Sequence, residues 1–335
     1  MDPLTHGLAS FALKRGFFPR VPRPVLTSMI FAGTLADFDW LSALLGPSTY
    51  LSWSGGPLHS IVGSITIAVF IGVAIRSYAK SRSVLLNGVS WWLAPVCAAL
   101  LHLGMDSLLS SGVKLFWPIS SKRVALDWAP GFDLWVLILL VAGIFLPELF
   151  RLVSDEIGAK SKKPRGQAGA VFAIVLIAAY FVLRGLLHGS ATMTMLERSY
   201  AGESPHRAAA FPDTASPFLW HGIIETESAL HTVNVPTGPL ANFDPESATH
   251  IHKPEPSPIL DAAQRAGVAQ KFLAIARFPK ATVQRETEGF SVELRDLKYD
   301  ALGQDSWAVV AQIGLNATGQ ITFAQLEWQN RPRKN

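Results

Sequence analysis

Five long apolar segments in the first 188 residues constrain the fold of this chain more than any other feature. Each holds about 20 residues with few charges, the length needed to cross the hydrocarbon core of a bilayer. A shorter apolar helix is predicted before them, over residues 3–13. The five segments are residues 25–45, 61–79, 85–105, 132–150 and 168–187. This pattern predicts a multi-span α-helical membrane domain over residues 1–188.

The composition changes after residue 188, where the apolar segments stop and prolines and charges appear. Two stretches, residues 197–217 and 236–258, are rich in Pro, Ser and Asn and are typical of loops. Runs with the composition and alternation of β-strands lie between and after them. These runs are residues 222–235, 270–279, 281–288, 290–299, 307–316 and 320–328. We therefore predict a small antiparallel β-rich (α+β) extracytoplasmic domain over residues 189–335.

Basic residues alternate between the loops and predict the orientation. Lys and Arg are frequent in residues 14–23, 76–82 and 151–165 and are absent from residues 46–60 and from residues 189–197, directly after residue 188. Residues 110–131 hold fewer than the basic loop 151–165. Basic loops stay in the cytoplasm, so the other loops and the C-terminal domain are expected on the opposite side. The chain is therefore expected to be a multi-pass membrane protein with its C-terminal domain outside the cytoplasm.

Several ionisable side chains lie in or beside the apolar segments, where a charge costs about 2.5–3.5 kcal/mol at the bilayer centre. His102 and Asp106 are four residues apart and share one helix face. Asp37 and Asp39 are about 200° apart on an ideal helix, so both reach one site only if that helix ends there. One of them could then be a metal ligand, and the other could orient that ligand through a hydrogen bond. The orientation above brings six such residues to one outer face: His6, Asp37, Asp39, His59, His102 and Asp106.

A divalent metal ion would neutralise these carboxylates, because residues 25–45 and 85–105 contain no Lys or Arg. Mixed His and Asp ligands suit Zn²⁺ or another transition metal better than Ca²⁺, and this many ligands could hold one ion or two. Plainer interpretations remain open for each residue. His6 could be an interfacial histidine, His59 a loop residue, and His102 with Asp106 a hydrogen-bonded packing device between helices.

Other polar residues are weaker candidates. Asp127 and Asp133 could complete a second metal site or supply a general base, but Asp133 is better placed to cap the next helix. His250 and His252 could bind a metal, although a loop without a third ligand is the favoured interpretation. The single Cys97 excludes an intramolecular disulfide and a thiolate metal cluster. The net charge of +4 is spread beside the apolar segments, so no nucleic-acid partner is predicted.

Four motifs together resemble the YdjM-type membrane-bound metal-dependent hydrolases of bacteria. They are MDPLTHGLASFAL, GTLADFDW, GPLHS and HLGMDSLLSSGVKLFWPIS, and they agree with that family in order and spacing over residues 1–135. The resemblance implies a metal-dependent hydrolase with a helical core similar to zinc-dependent phospholipase C. Matched by motif, it implies the same six site residues. Family members often carry an HRG…THS pattern, whereas this chain has SGGPLHS, with Leu58 in place of the threonine.

The function predicted from the sequence and this resemblance is a metal-dependent hydrolase of the bacterial inner membrane. Its site and its C-terminal domain would face the periplasm, and its substrate would be a lipid or lipid-linked phosphoester. Asp37 or Asp39 would accept a proton from the attacking water. Membrane lipids are the expected partners, and the oligomeric state is left open. A non-catalytic metal-stabilised scaffold or binding protein is the alternative. A transporter is disfavoured because the polar residues do not continue towards the cytoplasmic side.

Overall fold

The computed structural model describes residues 1–86, 88–156, 166–239, 241–302 and 308–329, with the backbone alone for 151–156. Most of the predicted basic loop 151–165 lies outside these residues. The chain divides into two compact units. Unit 1 comprises Met1–Ser42 and Ser52–Gly185, and unit 2 comprises Ala43–Leu51 and Leu186–Asn335.

The first part of the chain is helical. Its α-helices are α1 (Pro3–Phe17), α2 (Arg23–Ala32), α3 (Pro47–Trp53), α4 (Ile61–Ser81), α5 (Ser90–Ser107), α6 (Leu134–Glu156) and α7 (Gln167–Leu196). Two 3₁₀ helices, Leu35–Leu45 and Pro57–His59, lie between them. In unit 1, α5 packs against α2 and α4, and α1 packs against α2, α5 and α6. This packing brings the ends of α1, α2 and α5 together.

Two helices in the described part of the chain, α4 and α7, are long and apolar enough to span a membrane. A third candidate combines α2 with the 3₁₀ helix Leu35–Leu45, but the two are bent by 41°. The N-terminal region is therefore helical with two or three candidate spans, and the count of five is not confirmed. The expected segment 25–45 is broken after α2. The expected segment 85–105 becomes a helix only from Ser90, because Gly88 adopts a positive φ of 73°.

Two predicted helix starts are confirmed by their hydrogen bonds. Asp2 Oδ1 accepts the Thr5 amide at 2.9 Å, and Pro3 occupies the first turn of α1. Asp133 Oδ1 accepts the amides of Trp135 and Val136 at 3.0 and 3.2 Å. Asp133 is thus the cap of α6, as the favoured interpretation held. These caps fix where α1 and α6 begin.

Unit 2 contains two antiparallel four-stranded sheets, with strand orders β1-β2-β3-β4 and β5-β6-β7-β8. Their strands are β1 (Arg207–Pro212), β2 (Leu219–Glu225), β3 (Ala229–Pro236), β4 (Thr249–His252), β5 (Pro279–Glu286), β6 (Gly289–Asp296), β7 (Val309–Asn316) and β8 (Ile321–Trp328). The helices are α8 (Pro258–Arg265), α9 (Gly267–Leu273) and α10 (Lys298–Ala301). The antiparallel β-rich C-terminal region is confirmed, and α8 and α9 cover the second sheet.

Three local predictions in this region are wrong. Residues 270–279 are not a strand, because α9 buries Ala269 and Phe272, three residues apart, against the second sheet. The expected loop 197–217 contains β1, whose alanines give little strand signal. The expected loop 236–258 contains β4, an edge strand of four residues that is too short to alternate visibly. In addition, α7 continues to Leu196, beyond the expected end of the last apolar segment.

Close packing of α6 on α7 gives a test of the fold in unit 1. A Cβ added to Gly143 would lie 2.3 Å from Ala173 Cβ and 3.0 Å from the Gly169 carbonyl. Gly143→Ala should therefore overpack this contact and lower the free energy of unfolding by about 1–3 kcal/mol. A Cβ on Gly189, which lies on α7, meets nothing within 4 Å. Gly189→Ala should leave stability unchanged or raise it by about 0.5–1 kcal/mol.

Thermal unfolding of the detergent-solubilised variants measures both effects. Equal melting temperatures for the Gly143 and Gly189 variants would contradict this packing of α6 on α7.

Candidate metal centre

The last turns of α5 supply two buried polar side chains. His102 and Asp106 lie one helical turn apart and are 2% and 6% exposed. The His102 Nδ1 atom lies 2.9 Å from the Gly33 carbonyl oxygen, just after α2. A carbonyl oxygen only accepts, so His102 carries its proton on Nδ1 and has a free lone pair on Nε2. A backbone acceptor behind the ring is the arrangement that orients a metal-binding histidine.

Helix α1 brings a second histidine against the same carboxylate. His6 Nε2 lies 3.0 Å from Asp106 Oδ1, and the His6 and His102 ring centroids are 4.0 Å apart. The close approach of α1 to the end of α2 requires a glycine, because a Cβ on Gly33 would lie 2.1 Å from Ser10 Oγ. The amino group of Met1 also contacts Asp106 Oδ1. Two helices far apart in sequence thus converge on one carboxylate.

The 3₁₀ helix Leu35–Leu45 separates the two aspartates. With three residues per turn, side chains two positions apart diverge by about 120°. Asp37 faces the histidines, with Oδ1 3.7 Å from His6 Nε2 and Oδ2 4.0 Å from His102 Nδ1. Asp39 turns away and accepts the Gly55 amide on Oδ2 at 2.7 Å. The structure therefore gives the two carboxylates different surroundings.

His59 lies between Asp39 and Asp106. Its Nδ1 atom is 3.3 Å from Asp39 Oδ2, and its Nε2 atom is 3.2 Å from Asp106 Oδ2. Burial lowers the pKa of His59, but the carboxylates of Asp106 and Asp39 raise it more, to about 9. His59 is therefore protonated at neutral pH and lies as an imidazolium between two carboxylates. Asp39 and Asp106 hold this ring from its two sides.

Hydrogen bonds that the sequence does not reveal fix residues 54–55, and the Gly55 amide binds Asp39. Arg123 donates to the Ser54 and Gly112 carbonyls at 2.5 and 3.2 Å, and Lys114 N donates to the Gly55 carbonyl at 2.8 Å. These bonds tie residues 54–55 to residues 112–123. The sequence signal was the pair of glycines before Pro57, of which Gly55 has a positive φ of 57°.

Four of the six predicted site residues form one compact buried group: His6, Asp37, His102 and Asp106. Each offers a potential ligand atom, and these atoms all lie within 4.8 Å of one another. His59 lies beside the group through Asp106, and Asp39 lies behind His59. Asp127 and Asp133 are not members of this group in the described part of the chain. The structure thus brings the six predicted residues into one region, with four of them in the compact group and His59 and Asp39 outside it.

The donor set fits a divalent metal ion. Within the described residues, Asp37 Oδ2 and His102 Nε2 are buried without a hydrogen-bond partner, a state that costs about 1–3 kcal/mol for each group. Among the same residues, no Lys or Arg forms an ion pair with Asp37, Asp39 or Asp106, although the amino group of Met1 pairs with Asp106. Imidazole nitrogens and carboxylate oxygens are the ligands of zinc and related transition metals. The buried cluster could therefore hold such an ion.

Comparisons with known proteins agree with the motifs. The model of a family described as YdjM inner membrane protein matches residues 1–191, which include the whole cluster. No curated protein and no solved structure matches the chain. The match extends beyond residues 1–135, where the motifs lie, to most of α7.

Removing a ligand tests the cluster. His102→Ala should lower the divalent metal held by the purified protein, because it deletes the oriented Nε2 lone pair. His206→Ala, an exposed histidine in unit 2, should hold as much metal as the wild type. Elemental analysis after metal-replete purification measures both. A packing role alone predicts the opposite pattern: a lower melting temperature for the His102 variant with unchanged metal content.

Proposed function

The chain belongs to the YdjM inner membrane protein family, and from this premise we propose that it is a metal-dependent hydrolase. Its site is the buried cluster of His6, Asp37, His102 and Asp106, with His59 and Asp39 beside it. Its proposed substrate is a lipid or lipid-linked phosphoester at the outer face of the inner membrane. The proposed cofactor is Zn²⁺ or a related divalent cation, as one ion or two.

The observation that carries this proposal is the combination of a ligand group with a separate carboxylate. The four clustered residues offer nitrogen and oxygen donors within 4.8 Å of one another. Asp39 lies outside that group and is held by the Gly55 amide and by His59. A purely structural metal site needs the ligands alone. A hydrolytic site also needs a group that accepts a proton from water.

The residues can be assigned separate roles on this geometry. A bound divalent cation supplies Lewis-acid polarisation of a phosphoryl or carbonyl oxygen and lowers the pKa of a nearby water. Asp37, His6, His102 and Asp106 hold the cation. Asp39 Oδ2, 3.3 Å from His59 Nδ1, pairs with one side of the His59 ring and keeps its Nε2 edge towards Asp106. His59 is protonated at neutral pH, so the carboxylate of Asp39 is the proposed acceptor of the proton that the attacking water loses.

Exposed apolar side chains next to the cluster support a lipid substrate. Phe38 lies between Asp37 and Asp39 in the chain and Trp40 follows Asp39, and the two aromatic side chains are 50% and 49% exposed. Trp53 and Phe116 are also more than half exposed. Aromatic side chains at this density are typical of the membrane–water interface, where headgroups lie. A phosphoester at headgroup level would meet these side chains beside the cluster.

The alternative function is a non-catalytic scaffold or binding protein in which the ion holds the helices together. The cluster joins α1, α5 and the 3₁₀ helix Leu35–Leu45, so an ion there would also stabilise unit 1. The two functions differ in whether a coordination position is left for water or substrate. They therefore make different predictions for Asp39, which a scaffold does not need.

Substitution of the two aspartates tests the enzymatic role. With phosphatidic acid in mixed micelles and added Zn²⁺, the wild type should release phosphate, and a chelator should abolish the release. Asp37→Asn should lose metal and activity together. Asp39→Asn should keep metal at saturating Zn²⁺ but lower turnover by about 10–100-fold. Asp261→Asn, an exposed position on α8, is the matched control and should behave as wild type.

A zinc-loaded wild type that hydrolyses neither phosphatidic acid nor a soluble phosphodiester would contradict the enzymatic role and favour the scaffold.

The proposed orientation has a separate test. The chain has one cysteine, so Cys97→Ser gives a cysteine-free background. A new cysteine at Ser204, an exposed residue of unit 2, should react with a membrane-impermeant maleimide in intact spheroplasts. A new cysteine at Ser81, at the exposed end of α4 in the basic loop, should react only after lysis. The reverse labelling would place the cluster at the cytoplasmic face.

A further inference from the structure

A histidine pair in unit 2 lies outside the range of the family match and outside the cluster described above. His231 on β3 and His250 on β4 are partners in the antiparallel register, 19 residues apart in sequence. Their Nδ1 atoms are 2.6 Å apart, and the ring planes are nearly perpendicular, at 88°. His231 is 1% exposed, whereas His250 is exposed. Two imidazole nitrogens therefore meet at the margin of a buried core.

The hydrogen bonds around His231 determine its tautomer. The Thr226 hydroxyl donates to the Ala229 carbonyl at 3.3 Å, so its oxygen is an acceptor towards His231 Nε2, 3.1 Å away. His231 thus carries its proton on Nε2 and directs the lone pair of Nδ1 at His250. A histidine whose far nitrogen donates to a fixed oxygen is oriented as metal-binding histidines are. The ring of Tyr200, centred 5.4 Å away, packs against His231.

We propose that His231 and His250 form a second binding site for a divalent transition-metal cation, separate from the cluster in unit 1. Two imidazoles without a thiolate or several carboxylates suit Zn²⁺, Cu²⁺ or Ni²⁺ and not Ca²⁺ or Mg²⁺. His252, two residues along β4, projects from the same face of the strand as His250 and is the candidate third ligand. Water completes the shell on the exposed side.

The distance between the two nitrogens fits this site after a small movement. A tetrahedral Zn²⁺ with Zn–N bonds of about 2.0–2.1 Å separates two ligand nitrogens by about 3.3 Å. The pair must open by less than about 1 Å, and the exposed His250 can move while the buried His231 stays fixed. Burial and the neighbouring His250 ring lower the pKa of His231.

The site would fasten a weak part of unit 2. Strand β4 has four residues, lies at the edge of its sheet and pairs with β3 alone in the described residues. Short edge strands separate easily and expose backbone groups for pairing with other chains. A cation bound by one ligand from β3 and one from β4 would cross-link the two strands. The proposed site therefore binds metal and holds the sheet edge together.

The test compares metal binding in two full-length variants in detergent. His250→Gln removes the exposed ligand, and His206→Gln changes an exposed histidine in the same unit. In equilibrium dialysis against Zn²⁺, the His250 variant should bind one equivalent fewer than the wild type and the His206 variant. In Cu²⁺ loading, it should also lose one set of imidazole-nitrogen couplings in the electron paramagnetic resonance spectrum.

A second substitution keeps the two sites distinguishable. In the His102→Ala background, the equivalent lost with His250→Gln should still be lost, because the sites share no residue. Equal Zn²⁺ binding by the His250 variant and the wild type would overturn the proposal. A lower melting temperature of the His250 variant with unchanged Zn²⁺ binding would also overturn it and would identify the pair as a hydrogen bond only.

Discussion

The buried carboxylate of Asp106 is the interaction on which the helical unit depends. Its Oδ1 atom lies 3.0 Å from His6 Nε2, and its Oδ2 atom lies 3.2 Å from His59 Nε2 and 3.5 Å from His102 Nε2. The three rings come from α1, from the turn before α4 and from α5. A buried carboxylate is tolerated only when it is paired or coordinates a metal. Asp106 therefore fixes the convergence of these elements, and an ion among them would be bound by the same contacts.

The helical N-terminal region and the β-rich C-terminal region could both be predicted, because each has a clear pattern in the sequence. Long apolar segments predict helices by length and composition alone, and the alternation in residues 290–299 predicts β6. The number of spans did not follow, because a break between α2 and the 3₁₀ helix leaves the hydropathy of residues 25–45 unchanged. The short strands β1 and β4 were missed because they are stabilised by pairing with longer neighbours. Tertiary contacts, which no local pattern contains, form these elements.

The candidate site also has features that the sequence predicts and features that it does not. The residue types and the spacing of His102 and Asp106 were sufficient to predict that they share a helix face. The different places of Asp37 and Asp39 could not be predicted, because they depend on a 3₁₀ helix in which neighbouring carboxylates diverge. The supporting groups are backbone atoms, such as the Gly33 carbonyl and the Gly55 amide. The identity of a side chain carries no information about which backbone atom will face it. His231 was missed for a similar reason, since its pairing with His250 exists only in the folded sheet.

X-ray absorption at the metal edge of the purified protein tests the central claim most directly, namely that the buried His/Asp cluster binds a divalent cation. The measurement is best made on the His250→Gln variant, so that a metal in unit 2 does not contribute. The account predicts a first shell of nitrogen and oxygen atoms at about 2.0–2.2 Å, with outer-shell scattering from more than one imidazole. It also predicts the loss of one imidazole contribution in the additional His102→Ala variant. Protein without bound metal, or a metal surrounded by water oxygens without imidazole scattering, would contradict it.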